Sequence, residues 1–161
     1  MKNIISAARP LSLVFVALCW LVFTGCEYDA PVTAKPTRKI EEKLVGDWLE
    51  KDGADKKIMK VRKLDDYIYI IDYEDTLYRA YHSDAAKLPL VSAQDIEDKR
   101  KYTLMTWKLS EDGKTLTVRT INEKVIPYST KDSAAIQKLI EANAQNPDLF
   151  EKEAGEFVRS K

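Results

Sequence analysis

The chain is poor in the residues from which most catalytic and metal sites are built. Of its 161 residues one is histidine, two are cysteine and five are glycine. His82 has no second histidine with which to share a zinc ion, and its neighbours suggest no Ser-His-Asp arrangement. It is expected at a strand end, at the surface or partly buried. Two of the glycines, Gly53 and Gly113, fall in Asp-Gly turns, so no glycine-rich phosphate loop is present. Both cysteines, Cys19 and Cys26, lie in the first 26 residues. No internal disulfide and no cysteine-based metal site is therefore expected in the rest of the chain. No metal, no cofactor and no catalytic residue is assigned.

Acidic residues are also absent from the start. Residues 1–25 hold Lys2 and Arg9 but no Asp or Glu, and LSLVFVALCWLVF, residues 11–23, carries no charge. That run is shorter than the ~20 residues a spanning helix needs. A short basic start, an apolar middle and small residues ahead of a cut describe a secretory signal peptide. Cys26, after Phe23-Thr24-Gly25, resembles the lipobox of bacterial lipoproteins. The resemblance implies cleavage between Gly25 and Cys26, a diacylglycerol on the Cys26 thiol and further acylation of the new amino terminus. Several acyl chains hold a protein on a bilayer where one does so only marginally. Glu27 in place of the aspartate that favours inner-membrane retention implies the periplasmic face of the outer membrane in a Gram-negative cell.

Charge excludes another class of partner. Of 26 basic residues two precede Cys26, and none of the 26 acidic ones do, so 24 and 26 remain in the mature chain. The signs are interleaved and the net charge is about −2, whereas nucleic-acid binding calls for a basic stripe. No nucleic-acid partner is expected.

The mature chain divides in two. Residues 26–39, with Pro31 and Pro36 and few large apolar groups, read as a lipidated cysteine and a flexible tether. At full stretch it could reach ~40 Å. Residues 40–161 read as one domain. Residues 38–45 can form a helical turn or two. Strand patterns then recur over 44–50, 57–64, 67–73, 76–82, 87–93, 102–109 and 115–121, with turn signals between them. SEDGKT, residues 110–115, is the clearest hairpin. A helix near 132–145 is capped by Asp132 or Ser133, carries Ile136, Leu139 and Ile140 on one stripe, and ends at Asn146-Pro147. Residues 156–161 can return as a closing strand.

Gly46-Asp47-Trp48 on the first strand, a meander of hairpins, a late helix and a last strand with Arg159 resemble the lipocalins and their calycin relatives. The resemblance implies a small antiparallel up-and-down β-barrel, mainly β, with one C-terminal helix. It also implies that Trp48 plugs one end with Arg159 across its ring. A second lipocalin motif is not found in its usual form.

The carboxylates at 65–66, 74–75 and 95–98 fall at turns, where solvation works against the separated pKa values that acid–base catalysis needs. The tyrosines are more ambiguous. Tyr67, Tyr69 and Tyr73 share one face by period-two spacing, either as part of a packed sheet or as a binding surface. With Asp95, Glu97 and Asp98 they form the candidate binding surface. Together these readings give a non-enzymatic, membrane-tethered module of the cell envelope, acting on an envelope protein through its surface. The alternative is a carrier of a small apolar ligand inside the barrel. Short strands bearing Tyr, Ile, Met and Trp predict an interior filled by side chains.

Overall fold

The computed structural model describes residues 27–52, 56–97 and 100–160. Cys26, Gly25 and Asp98 lie outside the described residues, and so do the rest of residues 1–25 and most of the Asp52-Gly53 turn. Eight strands follow one another among the described residues: β1 (Gly46–Glu50), β2 (Ile58–Lys63), β3 (Tyr69–Tyr73), β4 (Thr76–His82), β5 (Val91–Asp95), β6 (Tyr102–Leu109), β7 (Thr115–Thr120) and β8 (Gly155–Arg159). Each pairs antiparallel with the next, and β8 pairs with β1, so the sheet is a closed up-and-down barrel. Among the described residues this is an eight-stranded antiparallel barrel with one α-helix, consistent with a lipocalin-like fold. Closure removes the sheet edges that would otherwise invite aggregation.

Alternation decides what fills it. Trp48 of β1, Met59 and Val61 of β2, Tyr69, Ile71 and Tyr73 of β3, and Ala80 of β4 point inward, as do Met105 and Trp107 of β6 and Phe157 of β8. Their outward neighbours pair as ions across strands, with Arg62 reaching Asp47 diagonally and Lys60 facing Asp72.

Turn chemistry sets the two ends. The turns β1–β2, β3–β4 and β5–β6 lie at one end, which stays open; β2–β3, β4–β5 and β6–β7 lie at the other. A 3-10 turn over Glu42–Leu44 closes that second end with the buried Leu44. In the β6–β7 turn Gly113 takes φ +70°, and Asp112 accepts from Lys114 N at 3.0 Å. The β3–β4 turn has only two residues, Glu74 and Asp75, with φ of +52° and +58°. Positive φ at both central positions is the hairpin turn that matches strand twist.

One strand is displaced from its expected place. Residues 87–93 read as the fifth strand and the carboxylates at 95–98 as a turn, but β5 runs over Val91–Asp95. Pro89 has no N–H to give to a ladder. Ahead of it Ala86 and Lys87 take φ of +50° and +63°, and Leu88 N bonds back to Ala85 O at 2.8 Å.

The second correction concerns the segment after Cys26. Residues 30–39 form no regular secondary structure, as a tether would, but the segment is packed along the barrel wall. Tyr28 and Val32 are buried. Tyr28 bonds both ways with the Tyr102 backbone, at 2.8 and 2.9 Å. Val32 N donates to Ser92 Oγ at 3.0 Å, and Thr37 N donates to His82 O at 2.9 Å. The strap thus descends from the open end at Tyr28 to the closed end, where Ile40 N meets Asp66 O at 3.0 Å.

The helix, α1 (Ser133–Ala142), is capped by Asp132, whose side chain accepts from Ala135 N. It packs on the barrel's outer face. Ile136 and Ile140 join Tyr28, Val32, Leu104 and Ile121 in a second apolar cluster. Gln137 Nε2 donates to Val32 O at 2.8 Å, tying helix to strap.

Candidate functional site

The barrel interior is the first place to seek a site. It holds a cavity of about 30 Å³ at the open end, with apolar walls that include Met59, Tyr73, Tyr78, Met105 and Phe157. Ligand pockets usually offer about 300–1,000 Å³. This space holds a water molecule or two at most, and its apolar walls give such a water few partners. Tyr73 meets Phe157 edge-on with centroids 5.7 Å apart, which narrows the mouth.

Below the cavity lies a layer that sequence reasoning missed. Tyr69, His82 and Trp107 pack edge-to-face, with centroids 5.2 to 5.8 Å apart. His82 ends β4 as expected, but it is wholly buried. Period-two alternation gives the signal: His82 falls on the same inward face as Ala80. Tyr69 Oη accepts from Glu41 N at 2.6 Å and lies 3.0 Å from His82 Nε2. The phenol and the imidazole thereby share one hydrogen bond. Nδ1 and Trp107 Nε1 find no hydrogen-bond partner among the described residues.

Burial first, and the Arg38 charge second, push His82 down to about 4, against the opposing pull of Glu41 and Asp84. Tyr69 and Tyr73 are pushed up to about 12, again by burial first. All three side chains are neutral at pH 7. An acid–base pair would need one group near neutrality within reach of a substrate, and this layer is sealed inside the barrel.

The Trp48–Arg159 contact closes the other end. Trp48 is buried, and its Nε1 donates to Leu44 O at 2.9 Å. The Arg159 guanidinium lies over its ring, 4.3 Å from the centroid. Arg159 also donates to Val45 O at 3.1 Å, to Gly113 O at 3.3 Å and to Lys43 O. One side chain thereby joins the 3-10 turn, the β6–β7 turn and β8. The arrangement is structural.

The candidate binding surface is not one surface. Tyr69 and Tyr73 face the barrel interior, while Tyr67 lies outside β3 in the β2–β3 turn and is exposed. Asp95 ends β5, and Glu97 lies in the β5–β6 turn at the opposite end of the barrel from Tyr67. The even spacing that put three tyrosines on one face fails at Tyr67 because the strand begins two residues later. Asp65 Oδ1 holds that turn by accepting from Tyr67 N and Ile68 N, at 2.7 and 2.9 Å.

Among the described residues no group of three or more His, Cys, Asp or Glu could hold a metal ion. None of their helices is long and apolar enough to cross a membrane. Comparison with protein-family models, with curated proteins and with solved structures returns no match.

Proposed function

We propose that this protein is a lipid-anchored module of the cell envelope that acts through its outer surface and without catalysis. The observation that carries the reading is the filled interior: the barrel's cavity is about 30 Å³, too small for a fatty acid or any comparable ligand. The anchor rests on the Gly25-Cys26 junction and the uncharged run before it. Its partner is a protein of the same envelope.

Two measurements test this. A fluorescent fatty acid titrated into residues 27–161 should give no saturable signal. Saturable one-to-one binding near micromolar, lost when Tyr69 or Trp107 is replaced, would establish the carrier reading instead. For the anchor, Cys26→Ser should leave the precursor uncut and unlabelled by palmitate. A shorter, lipid-labelled Cys26→Ser species in the membrane fraction would refute it.

A further inference from the structure

The geometry points to a barrel that docks rim-first on the bilayer, with its open end at headgroup level and its closed end toward the aqueous phase. The inference rests on the lipid-anchor reading and adds the orientation. Its basis is how soon after Cys26 the chain becomes part of the fold.

Tyr28 is two residues past Cys26 and is only 1% exposed. Its backbone pairs both ways with Tyr102, its hydroxyl donates to Ile126 O at 2.7 Å, and its ring meets Tyr128 edge-on at 4.9 Å. Asp29 next to it is ion-paired with Lys101 and Lys131. These contacts hold the chain to the start of β6, beside the β5–β6 turn, which is part of the open rim. Glu27 lies near enough to Tyr78, in the wall of the mouth, for its charge to act on that phenol. The strap therefore leaves the lipid at the mouth and runs away from it toward the closed end.

Two peptide steps span at most ~7 Å. A cysteine whose acyl chains are in the bilayer is thus tied within that distance of Tyr28, where a free tether of residues 26–39 would allow several times more. The rim does not need to attract the membrane. It carries Arg100, Lys101 and Lys131 alongside Glu97 and Glu74, with both signs present, so no polybasic attraction is involved. The short leash alone sets the orientation, which should therefore be insensitive to salt.

The mature chain allows a clean labelling experiment, because Cys26 is blocked when lipidated and no other thiol follows it. The full chain, lipidated in cells, is prepared as Glu97→Cys (open rim) and Leu64→Cys (closed end). Each is labelled with a fluorophore and reconstituted into phosphatidylethanolamine–phosphatidylglycerol vesicles containing a headgroup-spin-labelled lipid. Quenching should be several-fold stronger at 97 than at 64, at low and high salt alike. A Gly/Ser spacer of about ten residues between Cys26 and Glu27, with an r.m.s. reach of about 5–6 Å × √n, should abolish the difference. Equal quenching at the two sites in a chain whose mass shows the diacylglycerol overturns the docking inference alone. A difference that survives the spacer leaves the orientation standing and overturns the short leash as its cause. A mass without the diacylglycerol overturns the anchor and the docking together.

Discussion

Arg159 stands opposite Trp48 in the β1–β8 pair, and its guanidinium covers the indole ring at 4.3 Å. The pair fastens the seam at which the last strand closes the barrel on the first. A cation over an indole contributes about 0.5–2 kcal/mol, and burying the indole itself contributes more. Trp48→Ala should cost about 3–5 kcal/mol, a large part of the roughly 5–15 kcal/mol that a domain of this size has. Arg159→Ala should cost about 1–3 kcal/mol, because the carbonyls of Lys43, Val45 and Gly113 lose their donor. Urea unfolding followed by tryptophan fluorescence measures both.

Gly46 makes that contact possible. Its φ is +149°, and a Cβ there would come within 2.6 Å of Arg159 Nη1. Gly46→Ala should cost about 1–3 kcal/mol from backbone strain, together with displacement of the guanidinium. In an Arg159→Ala background the same substitution should cost less, because the clash is gone. A double-mutant cycle reads the difference, and strict additivity would show that the two residues do not act together.

His82 makes stability depend on acid pH. Its folded pKa of about 4 lies below the ordinary 6.5 because burial disfavours the charged ring. The group therefore contributes stability above pH 6.5 and loses it as pH falls toward 4. The loss by pH 4 is about 3 kcal/mol. Asp29, held down at about 2 by Lys101 and then Lys131, adds a loss in the same direction, below its ordinary 3.8. His82→Gln can keep a bond to Tyr69 Oη without titrating. It should flatten the stability profile between pH 6.5 and 4 and leave the fall below 3.8 in place.

The β3–β4 turn is built against preference. Glu74 and Asp75 both take positive φ, and Asp75 is exposed. Glycine adopts that conformation without strain, so Asp75→Gly should raise stability by up to about 1 kcal/mol. The urea midpoint should rise with an unchanged slope.

The barrel was largely legible because its signals are local. Alternation in TLTVRT and YTLMTWKL marks inward faces, Asp112-Gly113 marks a turn, and Asp132 marks a helix start. Where the sequence misled, the decisive contact is distant or the turn lacks its usual residues. The Ala86-Lys87 turn takes positive φ without glycine or asparagine, so Pro89 was the one local sign that β5 starts late. Tyr67 shares its parity with Tyr69 and Tyr73 but sits in a turn fixed by the Asp65 carboxylate. His82 looked peripheral because it ends its strand, but the 3-10 turn closes that end and Tyr69 and Trp107 pack against the ring. Tyr28 and Val32 stand alone among Pro, Thr and Lys, with no period to betray them. What buries them lies far along the chain: Ile126 and Tyr128 against Tyr28, and α1, which Gln137 ties to Val32.

The strap supplies the test of that last point. A loose tether tolerates any substitution, whereas Tyr28 is buried between the barrel rim and Ile126. Tyr28→Ala should destabilise residues 27–161 by about 3 kcal/mol or more, as the truncation of a buried aromatic does. Tyr28→Phe keeps the ring and removes the donor to Ile126 O, so it should cost about 1–2 kcal/mol. Lys35→Ala, in the same segment but exposed, serves as the control and should change stability by less than about 0.5 kcal/mol. Three urea titrations decide the matter. If Tyr28→Ala is as silent as Lys35→Ala, the segment is a tether after all, and the short leash to the membrane goes with it.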